Sequence, residues 1–258
     1  MASKFSLFIT IGALLTCLSS PPAQATFIAA LFSEDTFVIG ADSRKTTEGL
    51  PPDDSFCKLV LLNDNTAFAM LGVPSVTVGA HHINIFDLNN QATVGATDFL
   101  QMARQFTNMG AAQLNRINPQ LRSASKQLSG YPVISIGLYG GLGIVGSPSL
   151  AVSRIIYNER SNMFVTGQEE MLTNAGTIFM FNYFDHARGV VSMPEFARIR
   201  NNYSLPIPLR FAGMIDFLIQ QMISRRVSIE VGGNPTVLIL QKNKSASWYT
   251  RTGSCPRN

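Results

Sequence analysis

Two apolar, β-rich runs flank a three-residue turn near the start of the chain: Thr26 to Phe32, then Ser33-Glu34-Asp35, then Thr36 to Ala41. Short runs of this kind, closed by turn residues, predict a β-hairpin. The device repeats, with Ser55 to Leu62 and Thr66 to Leu71 on either side of Asn63-Asp64-Asn65. Asn and Asp favour such a turn because their side chains bond to nearby backbone. Two successive hairpins commit the chain to antiparallel sheet, and the later segments must then cover its faces.

Those segments have the required character. Thr97 to Ile117 carries helical spacing, with Phe99, Leu100, Ala103, Phe106, Met109 and Leu114 mostly on one face. Gly130 to Leu142 returns to strand, and Arg154 to Tyr157 with Met163 to Thr166 predicts another hairpin. Phe211 to Ile223 is a second amphipathic helix, with Met214, Phe217, Leu218 and Met222 near one stripe. The run Gly232-Gly233-Asn234-Pro235 then leads into a strand over Thr236 to Gln241. Hydrophobic residues make up 46% and charged residues 14%, which is enough apolar material for a large core. No repeat or linker divides the chain, so residues 26–258 are expected to form a single layered domain of α and β elements.

The first 25 residues read differently. Lys4 is a positive start, Phe5 to Leu18 an apolar stretch, Ser19 to Pro22 a break, and Ala23-Gln24-Ala25 a cleavage-type site. A signal peptide over 1–25 is expected, giving a secreted or periplasmic protein with no membrane attachment after its removal. Leu14-Leu15-Thr16-Cys17 is a rival feature, a poor copy of a lipoprotein box, and its use would leave Thr26 internal. Cys57 and Cys255 remain after cleavage at Ala25. They either pair in an oxidising compartment or leave Cys57 as a buried, inert thiol in its apolar run; the second is the expectation.

Several function classes drop out. The formal charge is +4 without any long Lys/Arg run, which gives no footprint for nucleic acid. His81-His82 and His186 lack ligand neighbours at metal spacing, and the glycines from Gly137 to Gly146 lack the Lys-Ser/Thr of a phosphate loop. No metal or other cofactor is expected. Asn202-Tyr203-Ser204 fits the glycosylation pattern, which has meaning only in a eukaryotic secretory pathway.

Counted from Thr26, Asp42 lies sixteen residues on, Lys58 thirty-two and Gly72 forty-six. With these spacings, Gly40-Ala41-Asp42-Ser43-Arg44-Lys45-Thr46, Cys57-Lys58-Leu59-Val60 and Ala69-Met70-Leu71-Gly72 resemble successive strand signatures of proteasome β-type subunits. These belong to the N-terminal-nucleophile (Ntn) hydrolases. Ile136 to Gly141 and Val231 to Val237 are similar to later strands of that family. The resemblance is strong over 26–73 and diffuse over 74–130. It implies an α+β fold, a four-layer αββα sandwich of two mainly antiparallel sheets.

The resemblance also implies a chemistry. A threonine hydroxyl needs a base beside it. An N-terminal threonine supplies its own, since a free α-amino group titrates near ~7.7–8.0 against ~10.4 for lysine. Thr26 would be the nucleophile, exposed by signal-peptide removal. Lys58 would favour the developing alkoxide and keep the amine neutral, Asp42 would pair with Lys58, and the Gly72 N–H would stabilise the oxyanion. Arg44 would brace the strand turn. Thr46 would offer its backbone to an extended substrate, and Met70, Phe56 and Val60 would line an apolar side-chain pocket.

Active members of the family hold the amine with an aspartate and two serines. Here Thr177 is the nearest hydroxyl for the first serine position, and Ser228 or Glu230 would have to serve at the others. A threonine-type endopeptidase acting on peptide or protein substrates, as a homo-oligomer, is the leading expectation. A small-amide amidase of the same fold and a non-catalytic scaffold subunit are the alternatives.

Overall fold

The computed structural model describes residues 26–45, 51–78, 80–124, 133–143, 147–181, 186–189, 194–224, 231–252 and 255. The expected leader (1–25), Thr46, Ser228 and Glu230 lie outside the described residues.

The two predicted hairpins form, with β1 (Ile28–Phe32) and β2 (Thr36–Ala41), then β3 (Leu59–Asn63) and β4 (Thr66–Gly72). A further small hairpin follows, β5 (Ser75–Val78) and β6 (His81–Asn84), which the sequence did not signal. Helices α1 (Leu88–Ala92) and α2 (Phe99–Ala124) come next. Then run β7 (Val133–Leu142), β8 (Pro148–Asn158), β9 (Met163–Thr166), β10 (Glu170–Leu172), β11 (Ile178–Phe181) and β12 (His186–Gly189). The chain ends with α3 (Pro194–Arg200), α4 (Ile207–Ser224), β13 (Thr236–Gln241) and β14 (Ser247–Thr250).

The strands build two large sheets, one in the order β12-β11-β1-β2-β13-β14 and the other β10-β8-β7-β4-β3, with β9 added to β8. Every pairing along these paths is antiparallel. The hairpins thus open both sheets, one each.

Strand alternation distributes the apolar side chains among three cores. Ile28, Ala30 and Phe32 of β1 meet Ala67, Ala69 and Leu71 of β4 in a core between the sheets. The intervening Ala29 and Leu31 face α4 with Ile215 and Ile219. On the other sheet Phe68 and Met70 face α2 with Phe106 and Leu114. Two sheets face to face, each covered outside by a helix, make four layers. Burial on both faces is why β1, β2 and β4 are unbroken apolar runs instead of alternating ones.

The cysteines correct one expectation. Cys57 and Cys255 form a disulfide across a sequence separation of 198, so Cys57 is not a free buried thiol. The bond ties the end of the chain to the residue before Lys58. The second hairpin also differs in detail, since its first strand begins at Leu59 and leaves Phe56 to Lys58 outside the ladder. No helix among the described residues is long and apolar enough to cross a membrane.

Candidate active site

The register of the first hairpin creates the site. Ile28 lies opposite Ala41, so the next residues outward, Phe27 and Asp42, meet where both strands leave the sheet. The Phe27 N–H donates to Asp42 Oδ1 at 2.9 Å, and the Asp42 N–H donates to the Phe27 carbonyl at 3.2 Å. Thr26, itself buried, is therefore held one residue from the Asp42 carboxylate.

Lys58 arrives from the other sheet. Its Nζ lies 3.0 Å from both Asp42 oxygens, and the two side chains are 5% and 0% exposed. Asp42 Oδ2 also accepts from the backbone N–H groups of Gly232, at 3.2 Å, and Arg44, at 3.3 Å. A buried carboxylate with one ammonium and three amides has its lone pairs used in full. Burial pushes the Asp42 carboxyl above its ordinary value. The charge of Lys58, the Phe27 amide, the Lys58 hydrogen bond and the Gly232 amide pull it back.

The Gly232 partnership is one that the sequence did not reveal. Ser43 and Arg44 N–H groups both donate to the Gly232 carbonyl, at 3.2 and 3.1 Å, so the turn at 231–235 closes over the end of β2. A Cβ at Gly233, where φ is +73°, would stand 2.2 Å from Ser43 Oγ. Only glycine fits. The signal was present as Gly232-Gly233 ahead of a strand, but its target 190 residues earlier was not.

A second brace fixes the same strand end. Arg44 bonds Asp54 through Nε–Oδ1 at 2.6 Å and Nη2–Oδ2 at 2.8 Å, the fork geometry suited to a carboxylate. Ser43 Oγ donates to the Asp54 carbonyl at 2.5 Å and accepts from the Asn234 N–H at 2.8 Å. Lys45 and Asp53 exchange backbone bonds at 2.7 and 2.9 Å. Residues 43–45 thus run beside 53–54 and aim the chain toward Lys58.

Gly72 ends β4, with φ at +97° and no room for a side chain, since a Cβ would lie 2.3 Å from the Ile134 carbonyl oxygen. The pair Leu59–Ala69 puts Gly72 and Lys58 at the same end of their sheet. The Lys58–Asp42 bond joins that end to the one bearing Thr26.

The expected pocket residues share a region with others. Met70 is buried on the helix-facing side of its sheet, and Val60 packs against the same cluster. The Phe56 ring lies 5.9 Å from that of Phe86, with Lys45 Nζ 4.9 Å from its centroid. Phe86 and Lys45 were not foreseen as neighbours of Phe56, because long-range ring contacts leave no local pattern.

Thr177 is a different matter. β1 and β11 are antiparallel with Leu31 opposite Ile178, and the Gly176 N–H donates to the Phe32 carbonyl at 2.8 Å. Thr177 therefore lies beside Phe32, at the far end of β1 from Thr26. Six residues of strand separate them, roughly 20 Å. It does not reach a Thr26 amine.

Among the described residues no group of three or more His, Cys, Asp or Glu side chains could hold a metal ion.

No family model matches the chain, and no curated protein does. Among solved structures it is similar to a mutant of Anbu from Hyphomicrobium sp. strain MC1. That match has a TM-score of 0.46 and 14% identity, and covers 89% of this chain and 88% of the other. At that level the likeness is distant and decides nothing about chemistry.

Proposed function

We propose that the chain is a proteasome-like Ntn hydrolase, exported and activated when removal of residues 1–25 frees the α-amine of Thr26. The observation that carries this reading is the buried Asp42 carboxylate, which bonds both the Phe27 N–H and the Lys58 ammonium. Thr26, next to Phe27, is thereby held one residue from a carboxylate that is paired with a cation. The Cys57–Cys255 disulfide supports export, since such bonds persist in oxidising compartments.

In the proposed reaction Thr26 Oγ attacks the scissile carbonyl while its own α-amine takes the hydroxyl proton. Lys58 offsets the negative charge that develops near Oγ, and Asp42 positions Lys58. The Gly72 N–H donates to the oxyanion, a contribution of about 2.7–4 kcal/mol for one such donor. The protonated amine then passes its proton to the leaving amine as the C–N bond breaks, leaving an ester on Thr26. Water, deprotonated by the same amine, hydrolyses the ester and restores the enzyme. Peptides are the proposed substrates, laid along the backbone near Thr46.

The test is hydrolysis of fluorogenic peptides and of small amides by the exported protein, with Thr26→Ala as control. Turnover of peptides that disappears in Thr26→Ala supports the reading. Turnover of small amides alone turns it to an amidase, and none of either leaves a scaffold.

A further inference from the structure

Away from Asp42 and Lys58, the corner between α3 and α4 holds an open cleft of about 450 Å³. Arg200 and Arg210 line it together with Tyr203, Ile207, Phe211 and Met214. Its far wall is the β1–β2 turn at Ser33.

Among the described residues the two arginines are short of partners. Arg198, two residues earlier, is engaged by Glu195, and Asp35 beside the far wall accepts from Ser33 and Thr36. Among the described residues neither Arg200 nor Arg210 has a carboxylate within salt-bridge distance. Arg210 donates through Nη1 to the Arg200 carbonyl at 3.3 Å, and its Nε is buried with no acceptor among the described residues. The guanidinium carbon lies 4.9 Å from the Tyr203 ring centroid, a contact that cancels none of its charge. The first turn of α4, which begins at Ile207 in the cleft, contains no acidic residue either. Two arginines and the start of a helix thus line one opening.

The remaining walls are apolar. Tyr203 is 79% and Ile207 43% exposed, while Met214 forms a buried floor. Exposed large apolar groups beside arginines with no ion-pair partner among the described residues suit a ligand with both an anionic head and an apolar body. We propose that this cleft binds a carboxylate carried on an apolar body. Its head bridges Arg200 and Arg210, and its body lies against Ile207, Phe211 and Met214. The carboxylate belongs to a free amphiphilic acid or to the C-terminal residue of a peptide.

The test titrates the full chain calorimetrically with hydrocinnamate, hydrocinnamyl alcohol, acetate, and acetyl-Ala-Phe with a free or an amidated C-terminus. Saturable binding of hydrocinnamate or the free-acid peptide is expected, whichever binds tighter naming the source. The alcohol, the amide and acetate should each bind about tenfold more weakly or worse. Arg200→Gln and Arg210→Gln should each cost about tenfold in affinity. If Arg210→Gln fails to fold, the exposed Arg200→Gln decides alone. Equal binding of acid and alcohol, unchanged affinity in the folded variants, or no saturable binding overturns the proposal.

Discussion

Lys58 Nζ lies equidistant, at 3.0 Å, from the two oxygens of Asp42, and this contact joins the two sheets beside the start of β1. Neither partner is replaceable without exposing the other to the cost of an unpaired buried charge. Lys58→Ala or Asp42→Ala should each lower stability by about 3–5 kcal/mol, read from urea unfolding. Replacing both with apolar residues of similar volume should cost clearly less than the sum. Additive losses would mean that the pair is not coupled.

Turnover should separate from stability in the same variants. Lys58→Met, which keeps the stem without the charge, should abolish hydrolysis of any accepted substrate even where the circular dichroism spectrum is native. Full activity in a folded Lys58→Met protein contradicts the role given to the ammonium.

The disulfide should matter more than its position near a terminus suggests. Closing a loop with a sequence separation of 198 restricts the unfolded chain by about 5 kcal/mol on the chain-entropy model. Reduction, or Cys57→Ser, should lower the denaturant midpoint by a large margin. Activity should fall as well, because Cys57 carries Lys58. A midpoint unaffected by reductant would show that the bond constrains nothing.

The charged groups titrate in opposite senses. The Asp42 carboxyl is raised above 3.8, first by burial. Its folded form binds a proton more readily than its unfolded form, so its contribution to stability is present below 3.8 and lost as pH rises through the folded value. Asp54 is held below 3.8, chiefly by the Arg44 hydrogen bond, and Asp53 likewise by Ser55. Their contributions are present above 3.8 and lost only as pH falls through their lower folded values. Between 3.8 and the Asp42 value, Asp42 should take up its proton while neither Asp53 nor Asp54 withdraws its support, read as a carboxyl resonance in NMR that titrates above 3.8. An Asp42 resonance that titrates at 3.8 or below would place it in the ordinary carboxylate range.

Much of this frame was legible in residue order. The hairpins at 26–41 and 55–71 announced themselves as apolar runs around Ser33-Glu34-Asp35 and Asn63-Asp64-Asn65, since local turn chemistry and burial on both faces leave a local trace. The helix of Phe99–Ala124 appeared through its spacing without its last seven residues, and that of Ile207–Ser224 without its first four. Asp42 and Lys58 were paired through the family resemblance that their distances from Thr26 carry. Contacts made by backbone were silent: no side chain at Gly232 advertises the amide it gives to Asp42. The length of β8 was hidden by polar residues such as Ser153, buried because its hydroxyl bonds the Ala103 carbonyl. Thr177 was misplaced because its position depends on the direction of β11, which only the pairing with β1 fixes.

Glycine substitutions offer a graded control. Gly72→Ala meets both a positive φ of +97° and an oxygen at 2.3 Å, whereas Gly95→Ala meets a positive φ of +71° and open space. Gly95→Ala should cost about 1–2 kcal/mol, the backbone term alone. Gly72→Ala should cost more and should also remove activity. Equal effects in thermal unfolding would indicate that the end of β4 yields more easily than its contacts imply.

The most direct measurement is N-terminal sequencing of the exported, active protein alongside its turnover of peptide. The sequence is expected to begin TFIAALF, and blocking the new amine by acetylation is expected to end hydrolysis. An active protein that begins at any other residue, or that keeps working with its terminal amine blocked, contradicts the role given to Thr26.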